Sequence, residues 1–332
     1  VELFFKSKLS KKMNKNKILG MGNAVLDIIF SCTEENLEKL NLKKGQMAIV
    51  GENISDETMK KFMFVKKSSG GSVANTIAGI SILGGSSAFC GRVCNDEIGK
   101  DFIEDINKIG VDFLCSPVTN SPPTAKCLVF VTEDGERTMQ TFLGASIHLD
   151  QNDIKEEYFN DISKLIIEGY LWSSESARLA IDKAINIAKK KKIEVFFSLS
   201  DSGLVKMYKK EFLEFINKDV DFLIGNKNEF STLFGQTELK PLAQSASNIA
   251  SKSVMTSGED GAVLFMNNEF KKFDSERNDS VIDSTGAGDM FAAGLLYYLS
   301  DGKSLDHSIE YGCKVASRIL SKYGARPDSA IL

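Results

Sequence analysis

The stretch VFFSLSDSGLVKMYKKEFLEFINKDVDFLI, residues 195–224, sets two short apolar runs, VFFSL at 195–199 and FLI at 222–224, on either side of an amphipathic segment at 205–216. Short apolar runs bounded by turn residues suit buried strands, and the amphipathic segment between them suits a helix lying across a sheet. The alternation extends outward in both directions. Residues 18–21, 88–91, 165–168 and 254–256 read as further buried strands, and amphipathic helices are expected over 73–83, 98–109, 176–191 and 242–251. Strand, helix, strand repeated in this way predicts an α/β protein with a doubly wound, mostly parallel sheet and helices on both faces.

Two regions break that rhythm. Residues 28–50 and 126–142 are strand-like without a strong helix, and in the second CLVFVT and RTMQTF flank the turn Glu133, Asp134, Gly135. That pattern is a β-hairpin. The two regions are expected to form one small β-sheet projecting from the core, a natural lid at the edge of a ligand cleft; edge strands of the main sheet are the alternative. The partition predicts a tail at 1–17, an α/β core of 18–30, 51–122 and 145–332, and a discontinuous β lid of 31–50 and 123–144.

With 41 Lys plus Arg against 45 Asp plus Glu, the chain of 332 residues has a formal charge of −4, which offers no general attraction to nucleic acid or to an anionic membrane. No run approaches the roughly 18 apolar residues of a membrane span. The six cysteines include no C-x-x-C pair, and His148 and His307 stand alone, so zinc is disfavoured and reduced thiols in a cytoplasmic protein are expected. Residues 1–17 are Lys-rich and carry Phe4 and Phe5, but lack an apolar h-region and a small-residue cleavage site. They read as a disordered tail, or as an extension ahead of a start at Met13.

The chemistry concentrates in DSTGAGDMFAAG at 283–294. Gly286, Ala287 and Gly288 precede a strongly apolar helical run, and small residues before a helix let an anion approach N–H groups that have no intrahelical acceptor. Asp289 follows at once. A carboxylate beside an anion site suggests proton abstraction, and phosphoryl transfer needs both: donors on the migrating group and a base near the attacking hydroxyl. The plain alternative is that Asp283 or Asp289 caps the helix.

Near the other end, GNAVLD at 22–27 sets Asn23 and Asp27 at the first strand region, a carboxamide and a carboxylate suited to neighbouring ring hydroxyls. In NKNE at 226–229, Asn226 and Glu229 fall at i, i+3 on one helix face, suited to holding the hydration shell of Mg²⁺ or, more simply, to capping the helix. Thr256, Gly258 and Gly261 of TSGEDG follow a strand and permit turns around a nucleotide, or form an ordinary β-turn.

Taken together, these segments resemble the ribokinase-like (PfkB) carbohydrate and nucleoside kinases. DSTGAGD resembles that family's C-terminal signature, SGGSVANTIAGISILGG at 69–85 its N-terminal signature, NKNE its N-x-x-E element and TSGEDG its nucleotide loop, in the right order from about residue 18 to 326. The resemblance implies an ATP-dependent kinase whose core binds nucleotide and substrate. It makes Asp289 the catalytic base and the backbone N–H groups of Gly286, Ala287 and Gly288 the anion hole. It also implies ATP contact at Thr256, Gly258 and Gly261, Asn226 and Glu229 near phosphate and Mg²⁺ through water, and a monovalent cation such as K⁺ near Asp283 and the Thr285 carbonyl. Gly70, Gly71 and Asn75 line the substrate pocket by the same likeness. Arg137 of GERTM is similar to an element of the adenosine-kinase-like branch, where a lid arginine neutralises the phosphoryl group; an exposed arginine beside Glu136 is the alternative. Two positions depart from the family pattern: Cys94 stands where many relatives carry Gly, and Cys313 where an Asn often lies near the nucleotide base.

GNAVLD, GERTM and EGYLW together resemble the adenosine-kinase-like branch, so adenosine or a related ribonucleoside is the expected acceptor, with ribose, fructose or another furanose as the rival. Phe30, Phe142, Trp172 and Phe197 are candidate walls for a base, or core. GMGNAV lacks the third glycine of a dinucleotide fingerprint, and no G-x-x-x-x-G-K-[ST] occurs, which disfavours an oxidoreductase and a P-loop kinase. A catalytically silent sugar- or nucleoside-binding protein is the reading from another class. The lid leaves a monomer or a lid-paired homodimer open.

Overall fold

Phe196 and Phe197 are both fully buried, yet they belong to different hydrophobic clusters. Successive strand residues point to opposite faces of a sheet, so an unbroken apolar run such as VFF at 195–197 requires that both faces be covered. The computed structural model of the chain describes residues 16–276, 284–321 and 324–326. Its strands in chain order are β1 (Lys17–Met21), β2 (Val25–Ser31), β3 (Met47–Ile49), β4 (Lys66–Gly70), β5 (Ser87–Cys90), β6 (Val111–Phe113) and β7 (Ala125–Val131). They continue with β8 (Arg137–Phe142), β9 (Ile162–Glu168), β10 (Glu194–Ser198), β11 (Phe222–Asn226), β12 (Lys252–Thr256), β13 (Ala262–Met266) and β14 (Glu269–Phe273).

Nine of these form one sheet in the order β14-β13-β12-β11-β10-β9-β1-β5-β6, parallel from β12 through β6 and closed at one edge by the antiparallel pair β13 and β14. The chain runs outward from β1 through β5 to β6, then returns to β9 and proceeds the other way. The order therefore reverses beside β1, and the crevice at the carboxyl ends of β1 and β9 is where ligands bind in open α/β sheets. No helix among the described residues is long and apolar enough to cross a membrane.

The second sheet has the order β3-β8-β7-β2-β4. Strands β7 and β8 form the expected hairpin, with Cys127 opposite Thr141. The sheet also takes β2 and β4 from stretches read as core, and residues 34–39 form a helix instead of a strand. Thr33 caps that helix through Oγ1, and Glu34 and Glu35 sit favourably in its first turn. Strand β4, KKSSG, carries no apolar alternation; as an edge strand it is held by its antiparallel ladder to β2.

Two helix boundaries also differ from the periodic reading. The 205–216 segment divides at Tyr208 into helices Ser202–Met207 and Lys209–Asp219, the first opened by the Asp201 side chain. The helix expected at 242–251 runs over Leu239–Ser247. The helix pair that matters most for the site is Ser72–Ile82 against Ala287–Ser300. A Cβ at Gly79 would lie 2.7 Å from Met290, so glycine there lets the two helices pack closely.

Candidate active site

The helix Ala287–Ser300 begins at Gly286, whose φ of +77° is left-handed; a Cβ there would lie 2.6 Å from Ala325. Asp289 falls in the first turn, and the N-terminus of helix Ser72–Ile82 meets it. Ser72 Oγ donates to Asp289 Oδ1 at 2.7 Å, and Asn75 Nδ2 donates to Oδ2 at 3.1 Å. Burial pushes the Asp289 carboxyl up to about 6, against the pull of Ser72, Asn75 and the Arg326 charge, while Asp27 adds to the rise. A carboxylate so tuned is a usable base near neutral pH. Ala287 N–H turns to the Ser284 carbonyl at 3.3 Å, and a Cβ at Gly288 would meet nothing within 4 Å, so Gly288 faces open space.

Near the start of the Ser72 helix, Asn23 lies in the turn from β1 into β2 and Asp27 on β2 itself. Gly71, at φ +103°, passes so close to Asn23 that a Cβ would lie 2.2 Å from its carbonyl oxygen, and a Cβ at Gly70 would lie 2.5 Å from the Asp27 carboxylate. Burial raises Asp27 to about 6, opposed by the charges of Arg326 and Arg137. Arg137 on strand β8 thus acts electrostatically on the same pocket as Asp27. Asn23 Oδ1 is buried with no hydrogen-bond partner among the described residues.

Four residues here had no assigned role in the sequence reading. Glu168, at the end of β9, accepts from Asn23 N–H at 2.7 Å and Val73 N–H at 2.9 Å. It thereby ties the β1 turn to the Ser72 helix start. Burial lifts it to about 7, and Asp289 adds to the rise. Its sequence signals are a carboxylate ending an apolar strand and its place at the head of EGYLW, neither of which points to this tie. Ser72 lies within the SGGS stretch. Arg326 and Asp105 carry no local signal at all, yet Arg326 Nε donates to Asn75 Oδ1 at 2.8 Å, and its Nη1 lies 3.6 Å from Asp105.

A cavity of about 750 Å³ opens on the other side of the Ala287 helix start. Thr256, Gly258, Gly261, Ala287 and Gly288 line it together, and Phe291, Cys313 and Ala316 add apolar wall. Its volume is in the range of ligand pockets. Asn226 and Glu229 form a reciprocal capping box at the start of helix Lys227–Phe234, with Glu229 N–H donating to Asn226 Oδ1 at 2.9 Å and Asn226 N–H to Glu229 Oε2 at 2.8 Å. Asn226 Nδ2 also donates to Glu229 Oε1 at 2.7 Å. Burial raises Glu229 to about 7, with Asp201 and Asp289 contributing. Among the described residues no three His, Cys, Asp or Glu side chains gather closely enough to hold a metal directly. Asp283 lies outside the described residues, and Thr285 stands just ahead of Gly286.

Of the aromatic candidates, Phe30 packs with Phe62 and Phe130, and Trp172 and Phe197 pack with Phe212 and Phe215, so these three belong to the core. Phe142 is half-buried on β8 with Lys126 over its ring.

The buried Asp289 carboxylate, a helix start suited to an anion and a cavity of ligand size are parts that phosphoryl transfer to a small molecule requires. The chain belongs to the pfkB family of carbohydrate kinases, whose sequence model matches residues 38–331. It is 27% identical over 293 residues to a 5-dehydro-2-deoxygluconokinase of Geobacillus thermodenitrificans, across 84% of this chain and 86% of that protein. Among solved structures, a probable sugar kinase protein from Rhizobium etli CFN 42 superposes with a TM-score of 0.85 at 34% identity, covering 94% of each chain. The adenosine kinase from Sinorhizobium meliloti also gives 0.85 and 34%, covering 94% of this chain and 96% of its own. The fold is ribokinase-like, and the protein is an ATP-dependent kinase that phosphorylates a hydroxyl.

Proposed function

We propose that the chain transfers the γ-phosphoryl group of ATP to the primary hydroxyl of a ribonucleoside such as adenosine, with Asp289 as general base and the N–H groups of Gly286, Ala287 and Gly288 as the anion hole, Ala287 N–H exchanging its 3.3 Å bond to the Ser284 carbonyl for the phosphoryl oxygen. The observation that carries the reading is the position of Asp289. It lies in the first turn of a helix whose start lines the nucleotide-sized cavity, and it is bonded to Ser72 and Asn75 from the helix that opens beside Asn23 and Asp27.

On this reading Asn23 Oδ1 and the Asp27 carboxylate accept from neighbouring ring hydroxyls, which gives the unpartnered Asn23 oxygen a donor. The acceptor hydroxyl then passes its proton to Asp289 as its oxygen attacks phosphorus, and charge building on the transferred group meets the helix start. Arg137, acting on Asp27 from the small sheet, supports lid closure over the pocket, which excludes water that would otherwise take the phosphoryl group. Both Glu229 carboxylate oxygens already accept bonds from Asn226, so this pair fits Mg²⁺ held through water and nucleotide phosphates instead of by direct ligation. When bound, the ion supplies neutralisation of phosphate charge.

The resemblance to the Sinorhizobium meliloti adenosine kinase, at 34% identity, supports the nucleoside reading. The curated relatives favour a second one, a sugar acid such as 5-dehydro-2-deoxygluconate as acceptor. An ADP-release screen over adenosine, other nucleosides, ribose, fructose and 5-dehydro-2-deoxygluconate separates them. A kcat/KM for adenosine at least about tenfold above every sugar is expected. A preference of a few-fold, or a sugar acid in first place, overturns the nucleoside assignment.

A further inference from the structure

Asn75 has a carboxamide whose two ends are nearly the same shape, so its neighbours decide which end faces which way. Arg326 Nε, 2.8 Å from one end, can only donate, and the Asp289 carboxylate, 3.1 Å from the other, accepts. Oδ1 must therefore face the guanidinium and Nδ2 the carboxylate. The flipped amide would oppose donor to donor and acceptor to acceptor.

Arg326 is itself held. Its Nη1 donates to Ser69 Oγ at 2.6 Å, and Ser69 donates from both N–H and Oγ to Asp105 Oδ2, at 2.7 and 2.6 Å. The segment that delivers it is wedged against the anion-hole turn, since Ala325 occupies the space a side chain at Gly286 would need. One continuous chain of polar contacts thus runs from Asp105 through Ser69, Arg326 and Asn75 to Asp289, across five separate parts of the fold.

We infer that Arg326 is a positioning residue of the acceptor site, which locks the Asn75 amide in the orientation that aims Nδ2–H at Asp289 and brings a positive charge to bear on that carboxylate. The inference rests on the reading of Asp289 as the base. Asp27 on β2, Glu168 on β9 and Glu229 on the helix after β11 all act on, or are acted on by, the Asp289 charge, and so does Tyr170 in the turn after β9. Against these groups Arg326 supplies positive charge and favours the ionised carboxylate. Asp105, Asp27 and Asp289 in turn favour the charged guanidinium, although burial holds it down to about 10.

The test is the pH profile of kcat in the full chain for Arg326→Gln and Arg326→Lys, with KM for both substrates. Arg326→Gln is expected to lower kcat at pH 7.5 at least about tenfold and to move the acid limb up by roughly one pH unit, with KM for ATP within about twofold of the parent. Arg326→Lys restores charge without the fixed fork, so its acid limb should return toward the parent while kcat stays reduced. A parent-like kcat and acid limb in Arg326→Gln, or a parent-like kcat in Arg326→Lys, overturns the inference. A lower kcat in both variants with an unmoved acid limb overturns it too, since that marks a merely structural role. Asp289→Asn separates the two readings: near-normal turnover there removes the base itself, whereas an inactive Asp289→Asn beside a parent-like Arg326→Gln removes the role of Arg326 alone.

Discussion

Ser72 Oγ donates to Asp289 Oδ1 at 2.7 Å, although the two residues lie 217 positions apart. Each stands in the first turn of its helix, so two positive helix ends converge on one carboxylate. That arrangement offsets part of the burial that raises its pKa. Ser72→Ala removes a hydrogen bond to the charged form, so the acid limb of kcat should move to higher pH while turnover at pH 7.5 falls by roughly fivefold. A limb that stays in place shows that the hydroxyl does not tune the base.

Replacing the proposed base should have a larger effect. Asp289→Asn keeps the shape and removes the proton acceptor, so turnover should fall at least about 10²-fold while ATP binding changes little. Single-turnover kinetics with a separate nucleotide titration check both halves, and near-normal turnover would end the assignment.

The direction of the pH dependence follows from the raised carboxyl. With Asp289 near 6, the fraction ionised falls below that pH, so log kcat should decline with unit slope on the acid side and level off above about 7. A limb centred near 4 would indicate a carboxyl without the burial described here.

Stability should follow the same groups. Asp27 and Asp289 stand near 6 and Glu168 and Glu229 near 7 in the folded chain, against ordinary values of 3.8 for Asp and 4.5 for Glu. Between about pH 4 and 7 the folded state therefore holds more protons than the unfolded one at these sites, and their contribution to the unfolding free energy falls as pH rises through that window. Denaturant midpoints at pH 5 and 7.5 should differ less in Glu168→Gln than in the parent. Equal differences would show that Glu168 ionises freely in the fold.

The cavity assigned above to the nucleotide makes a separate prediction, because Ala316 lines it and neither Asn23 nor Asp27 does. Ala316→Phe places a ring in that space and should raise KM for ATP about tenfold with the acceptor KM unchanged. A shift confined to the acceptor would put the nucleotide elsewhere.

Much of the architecture lies in local pattern. The apolar runs that became β1, β5, β9, β10, β11 and β12 are readable because a strand covered on both faces must be apolar at successive positions. The hairpin of β7 and β8 is readable because its turn residues are adjacent. The small residues before Asp289 are likewise a local signal, since they leave the backbone of a helix start open to close approach. Strand β4 was not readable, since a polar edge strand owes its conformation to the ladder with β2 and not to its own composition. Phe30, Trp172 and Phe197 have the same side-chain chemistry whether they wall a pocket or fill a core, and only packing assigned them to the core.

By itself, then, the order of residues determined the alternation of elements, the apolar faces and the helix start that carries Asp289, because each depends on neighbours within a few positions. The tertiary structure alone decided what surrounds that carboxylate. Arg326 and Asn75 stand 251 positions apart and meet through no periodicity or spacing, only because two helices and a terminal segment pack at the place where the sheet reverses its strand order.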